Sequence, residues 1–447
     1  MIESDLKISI SGIRGIVGRS LTPQLIIKFA EAFSTYIGGG KIGVGSDTRP
    51  SAEMVKCALL SGLLSGGASP IDCGILPIPS LQVYTREMKL DGAISISASH
   101  NPIEWNALKL IKSGGHFLYP YEAEELLDLY YQGKFTRVSF PGKIVSEKKA
   151  FVLHEKKILD FVDAGIIKKR KLKVVIDPCA GASTPYVVKF LEKLGTEVVC
   201  INCRPGGEFP RNPEPLAENI QKLCHTVRKE RADVGFAQDA DADRLAAVDE
   251  TGTPIGEEHT LALAVDYYLQ KKQKSPVVVN LSTSRVVEDV ARRAGVKLFR
   301  SRVGEINVSR CMAQKRAKIG GEGNGGIIVS DIHSCRDSFS GMALLLEYVA
   351  DSGNRLSELN STLPHYFMIK DKKQATFREA RRILNSLKHK FKQGKINATD
   401  GLRVDFPGYW FHVRPSNTEP VIRIVVEGKD EDAALKAYQK IMDEIRK

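Results

Sequence analysis

The segment Asp239-Ala-Asp-Ala-Asp-Arg244 sets three carboxylates at every second position. Along an extended stretch alternate side chains share a face, so the spacing predicts that the three converge. Three anions that close repel one another unless a cation lies between them. Ligands made only of oxygen select a hard ion, Mg²⁺ or Ca²⁺. A calcium loop of the EF-hand type competes, because Asp239, Asp241, Asp243 and Glu250 fall at its positions one, three, five and twelve. Arg244, however, stands where that loop requires glycine, and Leu245-Ala-Ala-Val248 reads as a strand. Apolar residues on both flanks argue against a merely solvated acidic turn.

Three further segments have chemistry in them. Ser95-Ile-Ser-Ala-Ser-His-Asn-Pro102 closes the strand-like Gly92-Ala-Ile-Ser-Ile-Ser97, and Pro102 forces the chain out of regular structure. A serine at such a turn is expected to be exposed, as a nucleophile or phosphate carrier must be, with His100 beside it to polarise it. The bland alternative is a turn whose side chains only satisfy backbone groups. Arg414-Pro-Ser-Asn-Thr-Glu-Pro420, with Arg423 beyond, offers amides, hydroxyls and guanidinium groups suited to a phosphate dianion. Asn417 and Pro415 equally suit a structural turn. Gly320-Gly-Glu-Gly-Asn-Gly-Gly326 lacks the Gly-Lys-Ser/Thr of a P-loop and leads into no convincing helix. Glu322 inside it makes anion binding awkward and suits hydroxyl groups, as on a sugar; the alternative is an ordinary flexible loop.

The elements that must position these segments follow one grammar three times. Lys41-Ile-Gly-Val-Gly, Lys173-Val-Val-Ile-Asp177 and Pro276-Val-Val-Val-Asn280 are short β-branched runs. Each is followed by a polar turn and then a helix-like run, over 52–64, 185–194 and 286–294 respectively. Such units build parallel α/β sheets. Their spacing predicts three similar α/β domains in tandem with mixed sheets, over 1–145, 146–253 and 254–364. The stretch 365–447 differs. A basic amphipathic helix is followed by three strands, at 401–406, 409–413 and 421–427, and a closing helix carries Ala434, Tyr438, Ile441 and Ile445 on one face. That predicts a C-terminal α+β domain with an antiparallel sheet. The four domains are expected to surround a central cleft that the last one closes.

Composition narrows the class. Hydrophobic residues make up 43% and charged residues 26% of 447, ordinary for a soluble globular protein. The longest apolar-looking stretch, 57–68, is broken by Ser61, Gly62, Ser65 and Gly66 and falls far short of the ~20 residues of a membrane span. The N-terminus shows no signal-peptide core. The expectation is a cytoplasmic protein with no membrane partner. The eight cysteines are scattered, and Cys200 and Cys203 form a single C-x-x-C without a second pair, so they read as core thiols rather than zinc ligands. The net charge of +12 fits either a nucleic-acid surface or anionic substrates. The basic clusters Lys168-Lys-Arg-Lys171 and Lys370 to Lys373 are not interleaved with aromatics, which favours anionic substrates and solvated faces over nucleic acid.

Taken in order, the serine turn, the aspartate segment, the glycine–glutamate loop and the Arg-x-Ser-Asn-Thr-x-Pro turn resemble the four signatures of the α-D-phosphohexomutases. That superfamily contains phosphoglucomutase, phosphomannomutase and phosphoglucosamine mutase. The resemblance covers nearly the whole chain, one signature to a domain. Ser11-Gly-Ile-Arg-Gly-Ile-Val-Gly18, Asn106-Ala-Leu-Lys109 and Arg302-Val-Gly304 match as well. It implies a phosphoryl group carried on Ser99, and Mg²⁺ held by Asp239, Asp241, Asp243 and a phosphoserine oxygen. Arg14 and Lys109 are implied to handle protons at the sugar hydroxyl, with His100 in support. Glu322 is implied to bind sugar hydroxyls, with Arg244, Arg302 and Asn324 also on the substrate. Arg414, Ser416, Asn417, Thr418 and Arg423 are implied to hold the phosphate that is not transferred. The reaction expected is interconversion of hexose 6- and 1-phosphates through a hexose 1,6-bisphosphate, which also serves as activator, by a monomer or homodimer. One departure stands out: Gly325-Gly326 ends the sugar loop where many relatives have His, and His333 is the substitute donor on this reading. The variant loop resembles that of phosphoglucosamine mutases, with phosphoglucomutase/phosphomannomutase as the alternative. A serine phosphatase and a basic nucleic-acid-binding protein are the rivals from other classes.

Overall fold

The computed structural model describes residues 6–9, 12–206, 208–416 and 420–446. It divides into two compact units, one of residues 1–260 and 325–359 and the other of 261–324 and 360–447.

The first unit opens with an eight-stranded mixed sheet. Strands Gly92–Ile96, Gly40–Ser46, Ala68–Ile75 and Val145–Ser146 run parallel. Trp105–Lys112 pairs antiparallel with Gly92–Ile96, Gly12–Ile16 antiparallel with Trp105–Lys112, and Lys7–Ser9 antiparallel with Gly12–Ile16, with His116–Phe117 off the path. All five residues of Gly92–Ile96 are buried, as expected of a central strand covered on both faces by helices. Helices Pro23–Ile37 and Ala52–Ser65 pack with these strands in one core that includes Phe29, Phe33, Leu59, Leu63, Ile94 and Ile96. A four-stranded sheet follows: Glu197–Cys200, Lys173–Asp177 and Val234–Gln238 are parallel, and Leu245–Val248 returns antiparallel. The hairpin Gly326–Val329/His333–Arg336 and the helix Ser338–Ser352, capped by Asp337, complete this unit.

In the second unit Leu298–Ser301, Val277–Asn280 and Ile319–Glu322 form a parallel ladder with helices Val286–Arg293 and Glu305–Lys315. The remainder is an antiparallel sheet in the order Phe367–Gln374, Val421–Gly428, Tyr409–Pro415, Leu402–Asp405, Lys395–Asn397. One face of it, with Phe411, Val413, Ile422, Ile424 and Val426, packs on helices Phe377–Lys390 and Glu431–Ile445. A capping box of Thr376 and Glu379 starts the first of these helices. Phe367–Gln374 is a strand that the periodicity of the sequence does not reveal.

The glycine-rich stretch owes its composition to close backbone approach. A Cβ at Gly320 would strike the carbonyl of Val278, and one at Gly325, whose φ is +82°, the carbonyl of Leu245. Gly326 enters a strand, so the expected absence of a helix after this loop holds. One expectation is corrected here: Cys200 and Cys203 are half-buried and bonded to each other rather than core thiols. The chain turns at Asn202, with φ +56°, and brings their Cα atoms to 6.0 Å. Among the described residues no helix is long and apolar enough to cross a membrane.

Candidate active site

Ser99 follows the buried strand Gly92–Ile96 in a left-handed conformation, φ +51°. That backbone costs about 1 kcal/mol or more for a residue with a side chain, so something must hold it. Ser97 Oγ accepts the Ser99 amide at 3.0 Å and donates to Asp47 Oδ2 at 2.6 Å. Ser99 Oγ donates to Asp239 Oδ2 at 2.7 Å and lies 3.4 Å from His100 Nδ1. The expectation of an exposed serine is corrected: Ser99 is 4% exposed. A turn is exposed only when nothing packs on it, and the aspartate loop packs on this one.

The aspartates also reach one another differently from the expectation. They occupy a turn between Val234–Gln238 and Leu245–Val248, with Ala242 at φ +61°, not an extended run. One carboxylate oxygen from each still lies within 4.8 Å of the others, and all three residues are buried. Asp239 Oδ1 accepts the amides of Asp243 and Arg244, both at 3.1 Å, which fixes the turn and leaves Oδ2 to Ser99. Burial, then Asp243 and Asp241, push the Asp239 carboxyl well above the usual range. Burial, the largest influence, would raise Asp241 too, but the paired Lys109 ammonium, the bond with Asp239 and the Arg336 charge together hold it low. Asp243 pairs with Arg336. Asp241 Oδ1 and Asp243 Oδ1 are buried without a hydrogen-bond partner. Orphaned carboxylate oxygens within such a cluster, with no sulfur or imidazole among the ligands, fit a hard divalent cation. Glu250 accepts from the amide and hydroxyl of Ser357 instead, and Leu245–Val248 is a strand, as expected of a loop that is not an EF-hand.

Cations ring this cluster. Arg14 lies on Gly12–Ile16 opposite Ala107 and donates to Asn101 Oδ1 at 2.6 Å. Burial lowers its pKa, Asp241 acts against that, and Arg244 and Arg49 add to it. Lys109, buried on Trp105–Lys112, stands 3.9 Å from Asp243 as well as pairing with Asp241. The Arg244 charge, burial and Arg14 hold His100 well below its ordinary value, which keeps the ring neutral at pH 7. Arg244 itself donates to Glu214 Oε1 at 2.8 Å. Ser99, His100, Arg14, Lys109, Arg244 and the three aspartates therefore form one constellation. His333 does not join it. Its Nε2 meets the Gly115 carbonyl at 2.9 Å and its ring stacks on His116, 5.0 Å between centroids, inside the first unit. Burial holds it well below the ordinary histidine value. The residue from that hairpin that does reach the aspartates is Arg336, a lone arginine with no local signal in the sequence.

The second unit holds Arg302, Glu322, Asn324 and the residues expected to hold phosphate, while Arg244 and His333 lie in the first. Glu322 is buried at the end of Ile319–Glu322, where Oε1 accepts Asn280 Nδ2 at 2.8 Å and the Gly304 amide at 2.7 Å. Asn324 is half-buried, and Arg302 is exposed with Nε on the Thr399 carbonyl at 2.6 Å. Arg414 stands directly opposite Arg423 across the antiparallel pair, and Arg423 opposite Lys372 on the other side. Three like charges in one cross-strand row are unfavourable without an anion between them. Burial lowers the Arg414 pKa, opposed by Asp400, with Arg423 acting in the same direction as burial. The Ser416 amide donates to Val421 O at 2.8 Å and closes the turn. Asn417 and Thr418 lie outside the described residues. Sequence reasoning missed Asn280, which ends an apolar strand, and Lys372, whose place is set by strand register.

Comparison with known proteins agrees with this geometry over the whole chain. Four descriptions of phosphoglucomutase/phosphomannomutase match in order: alpha/beta/alpha domain I over 6–137, domain II over 151–252, domain III over 257–367 and the C-terminal domain over 369–445. A Thermococcus kodakarensis protein named "Phosphoglucomutase/phosphomannomutase" is 38% identical, covering 95% of this chain and 94% of its own. A Methanopyrus kandleri protein named "Probable phosphoglucosamine mutase" is 34% identical over 98% of this chain and 97% of its own. The crystal structure of a phosphoglucomutase/phosphomannomutase family protein from Burkholderia thailandensis shares the fold, with a TM-score of 0.86 at 24% identity over 98% and 96% of the two chains. With its three α/β domains and C-terminal domain in the expected order, the chain belongs to the phosphoglucomutase/phosphomannomutase family and is a phosphohexomutase.

Proposed function

We propose that the chain interconverts hexose 6-phosphate and hexose 1-phosphate through a phosphoserine at Ser99, with glucosamine phosphate as the preferred substrate. The observation that carries this reading is the bond from Ser99 Oγ to Asp239 Oδ2 beside two buried carboxylate oxygens that have no hydrogen-bond partner. A hydroxyl placed there is ready to carry a phosphoryl group next to a cation. Asp239, Asp241 and Asp243 would hold Mg²⁺ together with a phosphoserine oxygen. When bound, Mg²⁺ neutralises charge on the phosphoryl oxygens during transfer.

Arg14 and Lys109 place positive charge on the same group and move the proton of the accepting sugar hydroxyl. Neutral His100, 3.4 Å from Ser99 Oγ, supports them as acceptor or donor. Arg244, anchored on Glu214, faces substrate from the aspartate turn. Ser99 phosphorylates one end of the hexose monophosphate, the 1,6-bisphosphate turns over in the site, and Ser99 takes phosphate back from the other end. Hexose 1,6-bisphosphate therefore also acts as activator by restoring phosphate to Ser99. Glu322 and Asn324 bind hydroxyls, Arg302 also contacts substrate, and Arg414, Ser416, Asn417, Thr418 and Arg423 hold the phosphate that stays. His333 has no part in this, being bonded to Gly115. The division at 145, 253 and 364 is part of the proposal, supported by family matches that end at 137, 252 and 367. So are action in the cytoplasm, where phosphosugars are made and used, and assembly as a monomer or homodimer without nucleic acid.

An ammonium at sugar position 2 is tolerated beside a loop of small residues and favoured by the Glu322 charge. The Thermococcus kodakarensis relative carries the other name, phosphoglucomutase/phosphomannomutase, which supports glucose or mannose phosphate as the second reading. Side-by-side kcat/KM values on glucosamine, glucose and mannose phosphates, with catalytic hexose 1,6-bisphosphate present, decide between them. A preference of about ten-fold or more for glucose or mannose phosphate overturns the glucosamine assignment. Hydrolysis without isomerisation would instead indicate a phosphatase.

A further inference from the structure

One buried side chain holds the whole loop that carries Ser99. Arg49, 2% exposed, lies in the polar turn after Gly40–Ser46. Its Nη2 donates to the carbonyls of Ser99 at 2.6 Å and Asn101 at 2.8 Å. Nη1 donates to those of Pro102 at 2.6 Å and Trp105 at 3.1 Å, and Nε to Asp47 Oδ2 at 3.0 Å. Guanidinium has five N–H donors, and all five are used, four of them on backbone carbonyls of one loop. Asp47 closes a ring: its Oδ2 also accepts Ser97 Oγ, and Ser97 Oγ accepts the Ser99 amide. The carbonyl side of Ser99 is thus held by Arg49 and its amide side by Ser97, with Asp47 joining the two.

This pattern differs from an ordinary buried ion pair, whose partners are satisfied by each other. Arg49 spends one bond on Asp47 and the rest on a turn with left-handed φ at Ser99, a conformation that a side chain-bearing residue leaves unless held. Lysine could not replace it, since three donors on a tetrahedral ammonium cannot reach four carbonyls spread over residues 99–105. Phe209 covers the guanidinium face, 4.9 Å to the ring centroid, and keeps water from competing.

We propose that Arg49 is a positioning residue for phosphoryl transfer, fixing the Ser99 backbone so that Oγ stays against the Asp239 carboxylate. The proposal rests on Ser99 being the phosphoryl carrier. The test compares wild type with Arg49→Lys on three readouts: the rate of Ser99 phosphorylation by hexose 1,6-bisphosphate, followed by intact mass; steady-state kcat and KM; and Mg²⁺ affinity. A misplacement of the serine by about 1 Å costs on the order of 10²-fold in rate. The expected result is a loss of that order in kcat and in the phosphorylation rate of the folded protein, with KM and Mg²⁺ affinity unchanged. A purely structural role would lower the melting temperature without this split. Folded Arg49→Lys that phosphorylates Ser99 at the wild-type rate, or that loses KM and kcat together, overturns the proposal. If Arg49→Lys does not fold, Ser97→Ala tests the same ring from the amide side: slowed phosphorylation supports it and the wild-type rate overturns it. Wild-type protein that takes up no phosphate on Ser99 indicts the carrier assignment instead.

Discussion

The Ser99–aspartate cluster and the Arg414–Arg423 strand pair handle charge in opposite ways. In the first, charges are buried and answered from within the chain: Lys109 pairs with Asp241, Arg336 with Asp243, and Ser99 with Asp239. In the second, Arg414, Arg423 and Lys372 stand side by side across three strands, at least partly exposed, with like charge facing like. Burial without compensation is very unfavourable, so the first arrangement must be complete before substrate arrives. The like charges of the second repel along the row, eased where Arg423 and Lys372 are exposed to water, and an anion placed among them would relieve that repulsion. On the proposed function, chemistry is preorganised where misplacement by an ångström matters, and recognition is left open where either end of a sugar phosphate must fit.

Breaking the first region has the largest expected effect. Ser99→Ala removes the carrier and should lower turnover by ~10³-fold or more with the fold intact by circular dichroism. Intact-mass analysis should at the same time lose a phosphate that maps to this residue. Near-normal activity in this variant would sink the mechanism.

Next comes the cation. Asp241→Asn takes one charge from the trio and strands Lys109, so Mg²⁺ affinity measured by calorimetry and turnover should fall together, turnover by ~10²-fold. Excess chelator should abolish activity and Mg²⁺ restore it, while Ca²⁺ binds but supports little reaction because its coordination is longer and looser. Full activity in chelator would remove the metal from the scheme.

The smallest effects belong to the second region and sharpen the contrast. Arg423→Ala deletes a charge-assisted hydrogen bond of ~1.5–3 kcal/mol and should raise KM strongly while leaving Ser99 phosphorylation by hexose bisphosphate possible. Lys372→Ala, at the exposed end of the row, should raise KM only a few-fold and weaken its salt dependence. Equal losses from the two substitutions would show that the row does not act as a graded phosphate site.

Much of this was legible in the residue string. Short β-branched runs followed by polar turns and amphipathic stretches located three of the α/β strands and their helices. The serine turn was marked by a strand-like run stopping before Pro102, and the carboxylate cluster by three alternating aspartates. Other parts were not. Ser99 looked exposed, because its cover comes from a loop 140 residues away. His333 looked like a replacement donor on account of its nearness to the glycine loop, but a hairpin turned it onto Gly115 and presented Arg336 instead. Lys370 to Lys373 looked like a solvated cluster until register with Val421–Gly428 set Lys372 beside Arg423.

The physical reason is one of range. Strand and helix periodicity, glycine's freedom and proline's restriction act between near neighbours, so the order of residues alone determined which elements form and which segments carry serine, carboxylates and arginines. Which buried group meets which is decided by strand register and by packing between segments a hundred residues apart. Arg49 has no local mark of importance; only when residues 99–105 fold back over it do four carbonyls find four of its five donors, and only the tertiary structure could place them there.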